Sequence, residues 1–149
     1  MTTSQSSAEV AGLLDRYLVG LDDDDLDDEW ARGLFTGDAV VEFPMSRHEG
    51  LEGLAGYHAD VLAKWERTQN LNSPAVVLVD GDRATFRANV MSTHVHRAST
   101  PPVDGEPPAL FSTGTFVSGA ARNTPDGWRI CSLAFRLVWS SGTRPRPAG

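Results

Sequence analysis

Residues 8–28, AEVAGLLDRYLVGLDDDDLDD, constrain the fold of this chain more than any other stretch. Apolar side chains recur there every three or four positions, which is the spacing of one buried helix face. Ser6 and Glu9 match a capping box at its start. The remaining chain must therefore cover one side of a helix that runs into a block of carboxylates beginning at Asp22. The apolar positions are Val10, Leu13, Leu14, Tyr17, Leu18 and Leu21.

Two further helices are predicted. The second carries apolar residues at intervals of four, and the carboxylates of residues 23–25 precede it, where negative charge stabilises a helix N-terminus. The third is predicted over residues 51–68. The apolar positions are Leu26, Trp30 and Leu34 in the second helix, and Leu51, Leu54, His58, Val61, Leu62 and Trp65 in the third.

The rest of the pattern is typical of antiparallel strands. Asp80-Gly81 is a tight-turn signal, and the proline-rich residues 99–108, STPPVDGEPP, connect two later strands. Residues 47–50 are predicted to form a loop. Strands are predicted over residues 39–45, 75–79, 83–97, 109–122 and 128–140.

This order predicts an α+β domain in which a curved antiparallel sheet wraps around the N-terminal helices and encloses a pocket. Such concave spaces are where small-molecule sites usually lie. We expect a single domain over residues 1–149, ordered from about 6 to 141, with flexible ends at 1–5 and 142–149.

Composition narrows the functional class. The chain has 149 residues, 40% of them hydrophobic, and a formal net charge of −7. The length is sufficient for one hydrophobic core. The negative charge disfavours binding to nucleic acid or to an anionic membrane. The single cysteine, Cys131, excludes an internal disulfide and a cysteine zinc cluster. The sequence lacks a signal-peptide pattern and an apolar run long enough to span a bilayer, so we expect a cytoplasmic location.

Nucleotide-binding, serine-hydrolase and zinc motifs are also missing from the sequence, so no cofactor and no metal are predicted.

Five segments in a fixed order carry a family resemblance. They are RYLVGLDDDDLDDEWARGLFTGDAVVEFP, EGLEGL, VVLVDGDRATF, STGTFVSGAAR and DGWRI. Together they resemble the SnoaL-like branch of the nuclear transport factor 2-like superfamily, which implies a cone-shaped α+β barrel with a deep pocket beside the first helix. The superfamily includes cyclases, dehydratases, isomerases and a dehydrochlorinase, but also non-catalytic binding proteins and assembly subunits. The fold alone therefore does not assign a function.

Asp22 is predicted to be the main catalytic group. In the dehydratase-like members that the chain resembles, an aspartate at this point of the motif lies in the pocket and works with a histidine. A carboxylate at the mouth of an apolar cavity is suited to act as a general base. For the other carboxylates a solvated, capping role is the better interpretation; they are Asp23, Asp24, Asp25, Asp27 and Asp28.

His94 is the predicted partner of Asp22. It falls where the scytalone dehydratase-like pattern has a histidine, and strand alternation from Val90 places His94 and His96 on the concave face. Two histidines at this spacing suit a metal as well, but no third ligand is evident, so that interpretation is weak. For His96 we favour a hydrogen-bonded structural role.

The chain departs from the family at Asn70. Many members that the segment TQNLNSP resembles have a histidine here, and in some enzymes it forms a dyad with the aspartate. Asparagine orients a substrate but does not transfer protons. Either His94 replaces that histidine, or Asp22 works with neutral hydrogen-bonding groups, or catalysis has been lost.

Arg122 follows GTFVSGAA, a motif in which dehydrochlorinase-like members carry an arginine facing the pocket. It is predicted to stabilise a developing anion, with an exposed arginine at a hairpin end as an equal alternative. The predicted pocket walls, which would bind substrate, are Tyr17, Phe43, Tyr57, His58, Trp65, Asn70, Met91 and Phe116, with Trp139 as a further wall.

The resulting hypothesis is a cofactor-independent cyclase, dehydratase or isomerase that acts on a small, apolar, oxygenated metabolite such as a polyketide or terpenoid intermediate. The alternative is a non-catalytic binding protein or assembly subunit, which Asn70 favours. Epoxide hydrolysis would need a second buried aspartate, which is not evident. We expect a homodimer or homotrimer, because the outer sheet face would otherwise expose Val95, Leu133, Phe135 and Leu137.

Overall fold

The computed structural model describes residues 2–97 and 108–145. This part of the chain forms three helices and seven strands, and two of the strands precede the third helix. The elements are α1 (Thr3–Asp23), α2 (Asp28–Leu34), β1 (Phe35–Phe43), β2 (Ser46–Glu49), α3 (Leu54–Leu62), β3 (Trp65–Asn72), β4 (Val76–Asp80), β5 (Arg83–His96), β6 (Leu110–Thr124) and β7 (Gly127–Gly142).

All of these strands belong to one curved sheet. Its order is β2-β1-β7-β6-β5-β3, and β4 also pairs with β5. Neighbouring strands are antiparallel except β1 and β7, which are parallel. The β6–β7 register shifts between Gly114 and Thr115 and again between Ala120 and Ala121, and such shifts bend a strand pair. The predicted α+β fold with a curved sheet is confirmed.

The apolar face of α1 packs on the concave face of this sheet. Tyr17 is completely buried, and β5 alternates buried and exposed residues from Arg83 to Met91, because successive strand side chains point to opposite faces. The core residues contributed by α1 and β5 are Val10, Leu13, Leu14, Tyr17, Leu18, Ala84, Phe86, Ala88 and Val90. The prediction that residues 8–21 present one buried face is correct.

The predicted helix starts were wrong. α1 is capped by Thr2, whose hydroxyl accepts from the Gln5 backbone N–H while the Gln5 side chain accepts from the Thr2 backbone. A capping box therefore exists, but it lies four residues before Ser6, and Thr3 to Gln5 are helical rather than loose. α2 is capped by Asp27, which accepts from the Trp30 backbone N–H, and not by residues 23–25.

The third helix is much shorter than predicted. It ends at Leu62, and Trp65 begins β3, an additional strand that pairs along its length with β5. Most of residues 47–50, predicted as a loop, belong to β2 (Ser46–Glu49), which pairs with the end of β1. The apolar spacing that suggested a continuous helix spans two elements, which local periodicity does not distinguish.

The remaining strand predictions are close to the structure. β1 begins earlier than predicted, at Phe35, and ends at Phe43 just before Pro44. β4, β5, β6 and β7 agree with prediction to within two residues at each end. Most of the proline-rich connection and residues 146–149 lie outside the described residues. Within the described part, none of the helices is long and apolar enough to cross a membrane.

Candidate active site

Asp22 lies in the last turn of α1, with its carboxylate turned towards β3. Thr68 Oγ1 donates to Asp22 Oδ1 at 2.8 Å, the Asn70 side-chain amide donates to Oδ1 at 2.7 Å, and the Asn70 backbone N–H donates to Oδ2 at 2.8 Å. A carboxylate offers about four acceptor positions, so one is left for a ligand. Asp22 is partly buried, whereas Asp23, Asp24 and Asp25 are exposed.

The hydrogen-bond network continues from Asn70 to β5. The Ser92 hydroxyl donates to Asn70 Oδ1 at 2.6 Å, which fixes the amide so that its nitrogen faces Asp22. The β3–β5 register places Asn70 opposite Ser92 and Thr68 opposite His94. The polar residues around Asp22 therefore come from two adjacent strands and converge because of sheet register.

A second aspartate–asparagine contact repeats this arrangement. Asp15 lies seven residues before Asp22, which is two turns along the same helix face, and it accepts from the Asn72 side-chain amide at 3.0 Å. Two aspartates of α1 thus bind two asparagines of β3. These contacts hold the helix against the edge of the sheet, and Asp22 has a structural role at the least.

His94 lies beside this group. Its Nδ1 is 2.8 Å from the Phe111 carbonyl oxygen, and because a carbonyl only accepts, Nδ1 carries the proton. Burial lowers the pKa of His94, while the bond to Phe111 and the charge of Asp22 act in the opposite direction. The ring is therefore neutral near pH 7, and its Nε2 has an unprotonated lone pair. Among the described residues this nitrogen has no hydrogen-bond partner.

An aromatic stack fixes the orientation of the His94 ring. Trp65 is buried and its ring centroid lies 4.6 Å from that of His94, 4.9 Å from that of His96 and 5.9 Å from that of Phe111. His96 Nε2 donates to the Thr143 carbonyl oxygen at 2.7 Å. Trp65 is therefore a buried residue that packs against the His94 ring and limits its movement. The described residues contain no group of three or more His, Cys, Asp or Glu placed to hold a metal ion.

A second histidine pair lies in the core. His58 Nδ1 donates to the Leu54 carbonyl oxygen at 2.9 Å, and the Tyr17 hydroxyl lies 2.8 Å from His58 Nε2. Burial lowers the pKa of His58 to about 4, with the bond to Leu54 opposing that shift and His48 adding to it. The ring is neutral, so the Tyr17 hydroxyl donates to Nε2, and burial raises the pKa of Tyr17.

The sequence predicted Tyr17 and His58 as pocket walls that bind substrate. The structure buries both, at 0% and 1% exposure, and uses both nitrogens of His58 internally. The spacing of Leu54, His58 and Leu62 on α3 is the signal that indicates burial. The surrounding rings are Trp30, Phe35, Phe43, Tyr57 and Phe135.

Phe43 and Tyr57 lie between this core pair and the surface. Phe43 stacks on Phe135 with ring centroids 5.0 Å apart, and the Tyr57 hydroxyl shares a hydrogen bond with Ser46 of β2. Both are partly buried, so they remain candidate walls.

Met91 and Phe116 do not face the concave side, contrary to prediction. They are 55% and 44% exposed, and they alternate with the inward-facing Val90 and Val117. On β6 the odd-numbered residues face the core, whereas the prediction of Phe116 as a pocket wall requires the even-numbered residues to do so. Trp139 is likewise 41% exposed on the outer side, beside Gly114.

The residues predicted for the outer sheet face are also placed differently. Leu133 is buried in the core and Phe135 packs against it, while alternation places Leu137 on the concave side with them. Val95 does lie on the convex side, opposite Leu110, but is partly buried.

Arg122 also lies away from Asp22. The β5–β6 register pairs Arg122 with Arg83 and Phe111 with His94, so the two positions are separated by the length of β5, roughly 35 Å for an extended strand. Its guanidinium instead pairs with Asp38, whose pKa is lowered by hydrogen bonds from Thr36 and Arg122. Arg122 therefore does not lie with Asp22 and His94, and its position near the β6–β7 turn agrees with the alternative interpretation, an arginine at a hairpin end.

Two surface clefts stand out, and Asp22 and His94 line neither. One, of about 380 Å³, lies between α1 and α2 beside Trp30, and the other, of about 520 Å³, lies beside Arg122 at the far end of the sheet. The candidate site instead faces the uncovered end of the concave surface. Along the concave face of β7, exposure rises from 1% at Leu133 to 48% at Leu137.

A family model described as a SnoaL-like domain matches residues 2–134. No curated protein matches the chain at a significant level.

Solved structures similar to this chain cover nearly its whole length. The Kfla4162 protein from Kribbella flavida is 24% identical, with a TM-score of 0.82 and coverage of 94% of this chain and 95% of that one. A candidate scytalone dehydratase from Novosphingobium aromaticivorans is 16% identical, with a TM-score of 0.73 and coverage of 97% and 91%. A hexachlorocyclohexane dehydrochlorinase from Novosphingobium barchaimii is 14% identical, with a TM-score of 0.73 and coverage of 94% and 90%. Likeness at these identities shows the fold alone.

Proposed function

The chain belongs to the SnoaL-like domain family, and we propose that it is a cofactor-independent acid/base enzyme acting on a small, largely apolar, oxygenated metabolite. Proteins of the same fold include a candidate scytalone dehydratase and a dehydrochlorinase. The observation that carries the proposal is a neutral histidine, His94, whose Nε2 has no partner among the described residues and which feels the charge of a carboxylate held by three donors.

The geometry favours His94 over Asp22 as the proton acceptor. Three of the acceptor positions of Asp22 are occupied by Thr68 and Asn70, whereas His94 Nε2 is unoccupied among the described residues. An imidazole whose Nδ1–H is held by a carbonyl keeps one tautomer, with Nε2 ready to accept a proton. The charge of Asp22, which acts to raise the pKa of His94, then stabilises the imidazolium that forms, while the Phe111 carbonyl keeps its bond to Nδ1–H.

The proposed reaction begins with removal of a proton from a carbon next to a carbonyl. The proton passes to His94 Nε2, and the electron pair moves into an enolate. The proton then returns to a departing hydroxyl, which leaves as water, or to another carbon of the substrate. The first outcome is a dehydration and the second an isomerisation. Alternatively, the enolate carbon attacks a second carbonyl of the same molecule and closes a ring, and the alkoxide that forms takes the proton from His94.

Proton exchange tests this proposal without knowledge of the substrate. The protein is incubated in deuterium oxide with a panel of cyclic ketones, including α-tetralone, cyclohexanone and isophorone, and deuterium uptake next to the carbonyl is followed by proton NMR. We expect the wild type to accelerate exchange of at least one ketone. Replacing His94→Gln should lower the protein-catalysed rate by ~100-fold or more, because the base is removed.

His48→Gln is the matched control. His48 is a partly exposed histidine on β2 that bonds to the Glu52 carbonyl and lies outside the candidate site. Its replacement should leave the exchange rate unchanged. The proposal fails if no ketone exchanges faster than in buffer, or if His94→Gln exchanges as fast as His48→Gln.

The rival function is that of a non-catalytic binding protein or assembly subunit, and one observation favours it. Asp22 bonds to Asn70 as Asp15 bonds to Asn72, so Asp22 belongs to a repeated helix–sheet contact. If that contact is the whole role of Asp22, Asp22→Asn and Asp15→Asn will alter stability only, Asp22→Asn more because Asp22 accepts three hydrogen bonds, and neither will affect proton exchange.

A further inference from the structure

The cleft at the far end of the sheet from His94 is lined by three arginines. Arg32 belongs to the last turn of α2, Arg122 lies two residues before the end of β6, and Arg129 lies two residues after the start of β7. The cleft has a volume of about 520 Å³, which is within the range of small-molecule sites. The formal net charge of the whole chain is −7, so bulk composition does not account for this group.

Strand register places like charges side by side next to the cleft. Arg83 of β5 is opposite Arg122 of β6, and Arg122 is opposite Arg129 of β7. Residues that are directly opposite have Cβ atoms roughly 5 Å apart on the same face of the sheet, where like charges destabilise the pairing. Of these three arginines only Arg122 has a carboxylate partner among the described residues, the exposed Asp38. The other two arginines of the row keep an uncompensated charge.

Hydrogen bonds hold Arg129 in place and leave part of it available. Its Nε donates to the Arg32 carbonyl oxygen at 3.1 Å, and its Nη1 donates to the Trp128 carbonyl oxygen at 3.0 Å. These carbonyls are neutral, so they orient the guanidinium without cancelling its charge. In the described part of the chain, Arg129 Nη2 has no acceptor, and neither has the exposed side chain of Arg32. Two adjacent guanidiniums can therefore donate to a ligand.

Two carboxylates also line the cleft, and both belong to turns. Asp82 lies between β4 and β5, Asp126 lies between β6 and β7, and both are exposed. Neither forms an ion pair with an arginine within residues 2–97 and 108–145. Because these carboxylates stay apart from the neighbouring guanidiniums, Arg32 and Arg129 remain available to an anion from solution.

We propose that this cleft binds the phosphate group of a small organic phosphate monoester. We call it the arginine cleft and define it by Arg32, Arg122 and Arg129. A phosphate monoester carries a charge of about −1.5 to −2 near neutral pH and has three strong acceptor oxygens. It can therefore accept from guanidiniums that approach from α2, β6 and β7, whereas a carboxylate has one charge and a planar edge that suits a single guanidinium.

The arginine cleft has room for more than a phosphate group, and part of its wall is apolar. Leu51 and Pro125 line it beside the arginines. Apolar surface at this position favours an organic group attached to the phosphate, because removing apolar surface from water is favourable. The arginine cleft lies at the opposite end of β5 from His94, so phosphate binding there is independent of the proposed catalytic function.

Isothermal titration calorimetry of the full chain with phenyl phosphate tests this assignment, at about pH 8 where the monoester is a dianion. Inorganic phosphate and benzoate are titrated in parallel. We expect phenyl phosphate to bind with a dissociation constant of ~1 mM or lower, and both of the other anions to bind at least ~3-fold more weakly. Arg32→Gln and Arg129→Gln should each raise the dissociation constant of phenyl phosphate by ~10-fold or more, because each removes charge-assisted hydrogen bonds.

Arg47→Gln is the matched control. Arg47 is an exposed arginine on β2 that pairs with Glu49 outside the arginine cleft, so its replacement should leave phenyl phosphate binding unchanged. Arg32 is exposed and its side chain makes no hydrogen bond in the described part of the chain, so Arg32→Gln keeps the test valid if Arg129→Gln does not fold. Circular dichroism confirms the fold of each variant.

Three results would overturn the assignment. The first is an absence of phenyl phosphate binding up to ~10 mM. The second is binding that persists unchanged in Arg32→Gln and in every folded Arg129 variant, which would place the ligand elsewhere. The third is binding of inorganic phosphate or benzoate as tightly as phenyl phosphate, which would indicate a site for free phosphate or for anions in general.

Discussion

His58 and His94 have the same protonation and opposite surroundings. Each is neutral, and each donates its Nδ1–H to a backbone carbonyl, of Leu54 and Phe111 respectively. His58 is 1% exposed and its Nε2 accepts from Tyr17, whereas the Nε2 of His94 has no partner among the described residues. One imidazole is closed inside the core and the other is open at the end of the sheet.

A lowered pKa does not by itself identify a catalytic histidine. Burial is the first cause of the lowered pKa in both rings, yet only one ring has a nitrogen available to a ligand. What distinguishes them is the group that faces Nε2. We therefore assign His58 to stability and His94 to the proposed chemistry, and the following substitutions test that division.

The largest difference is expected from truncating each ring. His58→Ala should lower the free energy of unfolding by about 3–5 kcal/mol, since it opens a cavity and leaves the Tyr17 hydroxyl unpaired. His94→Ala, at a partly buried site, should cost about 1 kcal/mol. Urea denaturation measures both. Equal losses would contradict the division between a core and a site histidine.

Acid should weaken the fold through His58. Its pKa is about 4 in the folded protein against an ordinary 6.5, so the unfolded chain binds a proton between these values and the folded chain does not. The stabilisation is complete above pH 6.5 and is lost as the pH falls towards 4, by about 3 kcal/mol in all. Urea titrations across this range should show that slope in the wild type and a flatter one in His58→Gln.

Asp22→Asn should separate positioning from catalysis. It removes the charge that stabilises a protonated His94, and we expect a ~10- to 100-fold loss of ketone proton exchange. Asp15→Asn is the control on the same helix face, because Asp15 accepts a hydrogen bond from Asn72 away from the site. A larger loss of stability in Asp22→Asn, which disturbs three hydrogen bonds rather than one, with slower exchange only in that variant, would sharpen the assignment.

The smallest effect is expected from deleting one hydroxyl. Tyr17→Phe leaves His58 Nε2 buried without a donor and should lower the free energy of unfolding by about 1–2 kcal/mol. Tyr57→Phe removes a hydroxyl that bonds to exposed Ser46 and should cost less than about 0.5 kcal/mol. Thermal unfolding of the two variants compares them. A larger loss in Tyr57→Phe would argue against the Tyr17–His58 contact as a core element.

Local patterns predicted much of the fold. The apolar spacing of residues 8–21 marks the buried face of α1 because a helix repeats every 3.6 residues whatever surrounds it. Turn residues bounded β4 to β7 to within two residues. β3 was missed because Trp65 continues the spacing of α3, and only pairing with β5 makes residues 65–72 a strand.

The candidate site was predicted less completely. Asp22 and His94 were identified through the family resemblance, and the structure brings both to the same end of the concave face. The facing of Phe116 was wrong because a strand sequence shows which residues share a face but not which face is inside. The prediction for Met91 was wrong because it ignored strand alternation, which places Met91 on the face opposite Val90. The sequence did not decide between the two interpretations of Arg122, because its distance from Asp22 depends on the register of β5 and β6.

The sequence by itself determined the class of fold, the buried face of α1 and the carboxylate at its end, since these depend on periodicity and on neighbours in the chain. Tertiary structure decided which polar groups meet. Thr68 and Asn70 reach Asp22 only because β3 docks beside α1, and Tyr17 meets His58 across 41 residues of sequence. Long-range packing and strand register set these contacts, and it is packing that makes one histidine part of the core and leaves the other open to a ligand.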